Sequence, residues 1–143
     1  MSDELLTILL IVAAFAALAW PRLRARLGMG RGLPAGEIKA RLESGGDVVV
    51  LDVRNENEVA AGSLPGAVNI PLPALPSRIG ELIEVMSGRP DAGIVLVCQS
   101  GPRAERAATI LMAAGLRKLA VLKGGVTAWR NAGYALEYVT QKK

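Results

Sequence analysis

The sequence contains no histidine and a single cysteine, Cys98. The absence of histidine excludes the Cys-His and Ser-His-Asp arrangements with which many enzymes activate a nucleophile. It also argues against a zinc site, because Cys98 would be the only soft ligand for the metal. One cysteine cannot form an intrachain disulfide, which fits a reducing compartment. Any nucleophile in this chain must therefore be activated by its backbone setting or by arginine and lysine.

Aromatic residues are also scarce, at 3% of the 143 residues, although hydrophobic residues make up 51%. The apolar content lies mainly in alanine, leucine, valine and isoleucine, which suits small helices packed on a buried sheet. The net charge of +4 is shared between two regions: residues 1–34 carry four basic and two acidic residues, and residues 35–143 carry thirteen and eleven. No basic run is interleaved with aromatic residues, so we expect no binding to nucleic acid.

An uncharged apolar run extends from Leu5 to Trp20 near the N-terminus. With Pro21 it reaches the lower limit of about 17 residues for a membrane-spanning helix, and tryptophan is typical of the membrane interface. We therefore predict a single transmembrane helix at residues 4–21, in contact with membrane lipid. Arginines follow the run and acidic residues precede it, so the positive-inside rule places the main domain on the cytoplasmic side of the membrane.

Two other interpretations of this run stay open. A cleaved signal peptide would explain Ala17-Leu18-Ala19, which resembles a cleavage site, but the residues before the run are acidic rather than basic. A surface-bound amphipathic helix would need a polar face, which the run lacks. After the run, several glycines and a proline predict a juxtamembrane linker at residues 22–34, and the folded domain is expected at residues 35–143.

From residue 35 onward the sequence alternates between strand and helix signals. The apolar runs Asp47–Val53 and Ile94–Val97 are too short for helices and predict buried strands. Weaker signals predict further strands and helices; the strands are 67–70 and 119–122, and the helices are 37–44, 79–86, 102–114 and 126–131. This order predicts a mainly parallel sheet with helices on both faces, whose chemistry lies past the carboxyl ends of the strands.

Cys98 follows one of these buried strands directly and precedes the short segment Gln99-Ser100-Gly101. A helix is predicted to begin at Pro102 or Arg103, since proline suits the first helical turn. The loop and the helix N-terminus would then offer backbone N–H groups to an anion, which favours a thiolate at Cys98. The alternative is a cysteine that packs as a small buried hydrophobic residue. Position and loop composition leave these two interpretations in balance.

The motif Cys98-x-x-Gly101-x-Arg103 resembles the active-site loop of single-domain rhodaneses. Three other segments match motifs of that family in the right order: Leu51-Asp52-Val53-Arg54, then Gly62–Pro71 preceded by Glu58, then Leu122–Val126 followed by Trp129. The resemblance covers about residues 35–138 and does not include the apolar N-terminal run. It implies a rhodanese-like α/β fold with a central, mostly parallel five-stranded sheet.

The resemblance also implies a sulfurtransferase that forms a persulfide on Cys98. The thiolate would take sulfur from a sulfane sulfur donor, either thiosulfate or a persulfide, and pass it to a thiol or cyanide acceptor. A protein could also be the sulfur acceptor, and no metal or organic cofactor is needed. Backbone N–H groups of the loop would hold the persulfide anion, and the residues that contribute them would be Gln99, Ser100, Gly101, Arg103 and Ala104.

Four charged residues are candidates for supporting roles near this loop. Asp52 and Arg54 end a strand and could face the site, although an ion pair of Arg54 with Glu58 or Asp52 that fixes the next loop is the favoured interpretation. Arg103 would hold loop carbonyls or a substrate anion, or it would have a structural role at the start of the helix. Lys123 would either add positive potential near the pocket or be a solvated charge.

Three other functions fit parts of the sequence. Phosphatases and arsenate reductases of the related fold use a longer loop, Cys-x5-Arg, whereas four residues separate Cys98 from Arg103 here. A non-enzymatic module could recruit a partner protein to the membrane, but many domains of that kind lack the cysteine. The main alternative is a membrane-tethered persulfide relay, in which a membrane protein is the sulfur donor or acceptor and small molecules turn over little.

Overall fold

The structure is a computed structural model that describes residues 2–26 and 31–138. Its first helix, α1 (Asp3–Arg26), continues beyond the predicted span. It passes through Pro21 because the leucine, alanine and arginine residues that follow are strong helix formers. Residues Asp3–Trp20 have a mean hydropathy of 2.0 and are exposed. By length and composition this segment could cross a membrane, and a signal sequence would meet the same criteria.

Five strands form a single parallel sheet, which confirms the predicted fold class. The strands are β1 (Arg31–Leu33), β2 (Val48–Asp52), β3 (Val68–Asn69), β4 (Gly93–Val97) and β5 (Leu119–Leu122), and their order in the sheet is β1-β5-β4-β2-β3. In the register of the two longest strands, Asp52 lies beside Val97. The carboxyl ends of β2 and β4 therefore meet at the same edge of the sheet, and β4 is the middle strand.

The prediction of a linker over residues 22–34 is wrong at both ends. Helix α1 continues to Arg26, and β1 occupies the positions from Arg31 to Leu33. Strand β1 has three residues, one of them glycine, so it carries no local strand signal. It is a strand because it pairs with β5, as the backbone N–H of Lys123 donates to the carbonyl of Leu33 at 2.9 Å. Residues 27–30 lie outside the described part of the chain.

Helices cover both faces of the sheet. The helices after α1 are α2 (Ala35–Glu43), α3 (Glu56–Ala60), α4 (Leu75–Met86), α5 (Pro102–Ala113) and α6 (Gly125–Asn131). Successive side chains of a strand point to opposite faces. In β4, Leu96 joins the apolar cluster under α4 and α5, whereas Val95 and Val97 join the cluster that includes Ile38 of α2 and Trp129 of α6. This alternation places the next residue, Cys98, on the face of α4 and α5.

Candidate active site

Cys98 lies at the carboxyl end of the middle strand and is 1% exposed. Its Sγ atom accepts a hydrogen bond from the backbone N–H of Gly101 at 2.9 Å. Gly101 has a φ of 131°, a backbone conformation that glycine adopts without strain. The tight turn folds the chain back over the sulfur before α5 begins at Pro102. Cys98 is thus both a buried member of the apolar cluster and a sulfur atom that faces a backbone donor.

The other predicted loop residues differ in their surroundings. Ser100 is exposed, Gln99 and Arg103 are half-buried, and Ala104 is fully buried in the first turn of α5. Among the described residues, the backbone N–H of Gly101 is the one donor to Sγ. Four other predicted residues belong to the same segment. Their backbone N–H groups make no hydrogen bond to Sγ in the described structure: Gln99, Ser100, Arg103 and Ala104.

The start of α6 holds the carbonyl groups of this loop. The backbone N–H of Val126 donates to the carbonyl of Cys98 at 2.9 Å, and that of Thr127 donates to the carbonyl of Gln99 at 3.1 Å. Gly125 permits this close approach, since it has a φ of 60° and a Cβ there would lie 2.5 Å from the Gln99 carbonyl. These bonds keep both carbonyl groups turned toward α6. The two glycines before Val126 indicate a close backbone approach, but they do not predict that the loop after Cys98 is what approaches.

A buried ion pair lies next to the loop, at the carboxyl end of β2. Asp52 is fully buried and Arg54 is 2% exposed, and the Arg54 Nη2 atom lies 2.8 Å from Asp52 Oδ2. Arg54 also donates to the carbonyl of Gly62 at 2.7 Å, while Ser63 donates from its hydroxyl to Asp52 at 2.7 Å. The structure thus pairs Arg54 with Asp52, one of the two carboxylates considered as its partner, and the same guanidinium also binds the backbone at Gly62.

Gln99 connects this ion pair to α6. Its side-chain oxygen accepts a hydrogen bond from Arg54 Nη1 at 3.3 Å, and its Nε2 atom donates to the Thr127 hydroxyl at 3.0 Å. Asp52 and Arg54 therefore touch the loop through a side chain of the loop itself. No local sequence pattern predicts this bridge, since 45 positions separate Arg54 from Gln99 and 28 separate Gln99 from Thr127.

Arg103 forms a bidentate ion pair with Glu58 of α3. Its two terminal nitrogens lie 2.8 Å from the two carboxylate oxygens, and about a third of each side chain is exposed. The hydrogen bonds from Arg103 are the main cause that lowers the pKa of Glu58 from 4.5 to about 2. Glu58 in turn raises the pKa of Arg103. The side chain of Glu58, a candidate partner of Arg54 by sequence, therefore binds Arg103 instead, a pairing that the sequence does not predict.

Lys123 follows β5 at the same edge of the sheet, and its side chain is exposed. Its location there allows it to contribute positive potential at the carboxyl ends of the strands.

In the described part of the chain, no group of three or more His, Cys, Asp or Glu side chains is arranged to hold a metal ion. The chemistry of the site therefore centres on one sulfur atom, backbone N–H groups and ion-paired arginines.

Comparison with known proteins identifies the family of this chain. The family model for the rhodanese-like domain matches residues 34–132. The chain belongs to the rhodanese-like family. This rhodanese-like chain is 32% identical over 96 residues to a sulfurtransferase from Allochromatium vinosum, a match that covers 67% of this chain and 84% of the relative.

Two further relatives are larger proteins. The rhodanese-like chain is 29% identical over 115 residues to a tRNA uridine(34) hydroxylase from Cronobacter sakazakii, a match that covers 78% of this chain and 33% of that enzyme. The structure of a thiosulfate sulfurtransferase from Pseudomonas aeruginosa superposes with a TM-score of 0.68 at 27% identity, covering 89% of this chain and 23% of that one. The chain thus spans a third or less of these two proteins.

The close approach of Gly125 to the loop gives a first prediction. Alanine there adds a Cβ that lies 2.5 Å from the Gln99 carbonyl, so α6 and the loop must move apart. We expect G125A to lower the free energy of unfolding by about 3 kcal/mol, more than the ~1–2 kcal/mol of a left-handed alanine alone. The measurement is urea denaturation of the full-length protein in mild detergent, followed by circular dichroism.

Gly133 provides the matched control for this prediction. It also has a positive φ, 78°, but a Cβ there would meet no atom within 4 Å. G133A should therefore lose only the ~1–2 kcal/mol of backbone strain. Equal losses in G125A and G133A would show that contact with the loop does not restrict residue 125.

The Glu58–Arg103 pair gives a second prediction, on acid stability. Because the pKa of Glu58 is about 2 in the folded protein and 4.5 ordinarily, the pair stabilises the fold fully above pH 4.5 and loses this effect as the pH falls toward 2. Wild-type protein should exceed E58Q in unfolding free energy by about 1 kcal/mol at neutral pH, since solvent screens the half-exposed pair. The difference should decrease as the pH falls below 4.5 and vanish below pH 2 in urea titrations, and R103Q should show the same loss. A difference that is constant with pH would contradict the pairing.

Proposed function

We propose that the protein is a sulfurtransferase that carries sulfane sulfur as a persulfide on Cys98. The observation that carries this proposal is the turn over the sulfur, in which a backbone N–H lies 2.9 Å from Sγ. A donor at that distance stabilises negative charge on sulfur. The sulfurtransferase relative from Allochromatium vinosum supports the same assignment. The match to the tRNA uridine(34) hydroxylase from Cronobacter sakazakii covers 33% of that enzyme, so its reaction gives no assignment here.

The proposed reaction has two transfers of one sulfur atom. The Cys98 thiolate attacks the outer sulfur of thiosulfate, the S–S bond of the donor breaks, and sulfite leaves with the electron pair. With an organic persulfide as donor, a thiolate leaves instead. In the second transfer, cyanide or a thiolate attacks the outer sulfur of the Cys98 persulfide, and the Cys98 thiolate is released. The two steps balance without an external oxidant or reductant.

The loop backbone would hold the persulfide anion between the two steps. The carbonyls of Cys98 and Gln99 are tied to α6, so they cannot turn toward the negative charge. The loop is left to present its N–H groups, and those of Gln99, Ser100, Gly101, Arg103 and Ala104 would surround the outer sulfur. Pro102 contributes none. Asp52 and Arg54 would keep Gln99 in position, and Lys123 would add positive potential at the rim.

The length of the loop favours sulfur over phosphate as the transferred group. Four residues separate Cys98 from Arg103, and the related phosphatases need one more to surround a tetrahedral oxyanion. The guanidinium of Arg103 is also bound to Glu58 through both terminal nitrogens. An arginine that is paired in this way does not offer the bidentate contact that phosphate recognition uses.

A third prediction tests the persulfide directly. Full-length protein in mild detergent, treated with thiosulfate or 2-hydroxyethyl persulfide, should gain about 32 Da, the mass of one sulfur atom, on the peptide that contains Cys98. Cyanide should remove this mass and release thiocyanate. Because Cys98 is the single cysteine, C98S is a complete control and should gain nothing. Failure of both donors to label Cys98, together with hydrolysis of an aryl phosphate, would contradict the proposal.

A second candidate function is a persulfide relay at the membrane. The observation that favours it is the exposed apolar segment Asp3–Trp20 of α1. If this segment spans the membrane once and the arginines after it stay on the cytoplasmic side, the rhodanese-like domain is held close to the cytoplasmic membrane surface. A membrane protein that donates or accepts sulfur would then meet Cys98 more often than a soluble partner would. In that case turnover of small molecules would be slow.

A fourth prediction tests the location. A reporter that is active only in the cytoplasm, fused after Lys143, should be active, and the protein should stay in membranes washed with alkaline carbonate. L9R combined with L10R should release it, because two arginines in the middle of the span cost about 5 kcal/mol or more. A shortened N-terminus in the intact mass, with the protein in the soluble exported fraction, would indicate a cleaved signal peptide instead.

A further inference from the structure

The charges around the loop are almost fully compensated. Arg54 is buried against Asp52, and Arg103 is bound at both terminal nitrogens by Glu58. The two loop residues that follow Cys98 are Gln99 and Ser100, which are neutral. Of the three cationic residues of the site, Lys123 alone has no ion-pair partner among the described residues.

Arg103 carries the one cationic side chain of the segment Gln99–Ala104. It belongs to the first turn of α5, its side chain is about a third exposed, and negative charge on the Cys98 sulfur contributes to raising its pKa. The guanidinium is therefore within electrostatic reach of both the sulfur and the solvent. At the rim, the guanidinium of Arg103 could bind an anionic donor, but the carboxylate of Glu58 already occupies it.

We propose that Glu58 is a specificity-determining residue, which lowers the use of dianionic donors such as thiosulfate relative to organic persulfides. This inference rests on the sulfurtransferase function proposed above. Glu58 does not touch the reacting sulfur. It acts by neutralising Arg103 and by occupying the edge of the guanidinium that would otherwise bind the donor.

The burial of Cys98 explains why a charge at the rim affects the donor. The sulfur is 1% exposed, so the outer sulfur of a donor must enter the loop while the rest of the donor stays at the rim. The sulfonate of thiosulfate carries its charge to that place, and the sulfite that leaves carries it away. An organic persulfide is a monoanion and releases a singly charged thiolate at the rim, so its reaction depends less on Arg103 than that of the dianionic thiosulfate.

The neutralisation is constant over the pH range in which the protein would work. The pKa of Glu58 lies at about 2, so its carboxylate stays ionised well below neutral pH. The Glu58 side chain is also held at the start of α3, since it accepts a hydrogen bond from the backbone N–H of Asn55 at 2.9 Å. Glu58 is thus held in place and stays paired with Arg103 at every pH well above 2.

The test, our fifth prediction, compares two donors with cyanide as the common acceptor. For full-length protein in mild detergent, the measured quantity is kcat/KM for thiosulfate divided by kcat/KM for 2-hydroxyethyl persulfide. E58Q should raise this ratio about threefold, the size expected of a partly exposed charge interaction. R103Q should lower it, because the unpaired Glu58 repels the dianion. The increase in E58Q should disappear at high salt, where the free guanidinium is screened.

Glu81 provides a matched control. It forms a comparable ion pair with Arg78 on α4, at 2.8 Å, with both side chains partly exposed. E81Q should leave the ratio of the two donors at its wild-type value. An increase in E81Q as large as that in E58Q would mean that overall charge, rather than the pairing of Arg103, sets the preference.

The outcomes separate this inference from the proposed function. Opposite shifts of the ratio in E58Q and R103Q support the specificity role. A ratio that is unchanged, or that moves in the same direction in both variants, overturns it while Cys98 still forms its persulfide. If E58Q does not fold, R103Q alone decides, since an unchanged ratio in R103Q also overturns the role. Absence of sulfur on Cys98 of the wild-type protein with either donor would overturn the proposed function and this inference together.

Discussion

The buried ion pair between Asp52 and Arg54 is the constraint on which the site depends. Removing two charges from water costs several kcal/mol per ion, and this cost is offset only when the pair is close and its remaining donors are satisfied. Arg54 meets that condition, since it donates to Asp52, to the carbonyls of Glu58 and Gly62, and to Gln99. One guanidinium therefore fixes the end of β2, helix α3 and the loop after β4 relative to each other.

That arrangement leaves the sulfur of Cys98 beside the backbone N–H of Gly101, at 2.9 Å. Both arginines of the site are bound to carboxylates, which largely neutralise their positive charges. Backbone N–H groups carry no net charge and are oriented by the glycines and by α6, which suits a small anion such as a persulfide. A more highly charged donor would need free cations, and this difference is the physical basis of the donor preference that we infer.

The N-terminal helix is independent of this site in its chemistry. Its apolar residues are exposed in the structure, and their role depends on what covers them, either membrane lipid or a partner protein. The match to the rhodanese-like family begins at residue 34, so the family accounts for the folded domain and not for the helix. The proposed membrane attachment and the proposed sulfur chemistry therefore rest on separate parts of the chain.

The sequence by itself determined the parallel sheet, the place of Cys98 after a buried strand and the glycine turn that follows, because these depend on hydrophobic periodicity and local backbone preference. Only the tertiary structure decided that Arg31–Leu33 is a strand, since its partner β5 lies far along the chain. It also decided that Glu58 binds Arg103, 45 positions away. Several carboxylates and arginines end at the same edge of the sheet, and packing of α3 and α5, rather than local sequence, selects which of them meet.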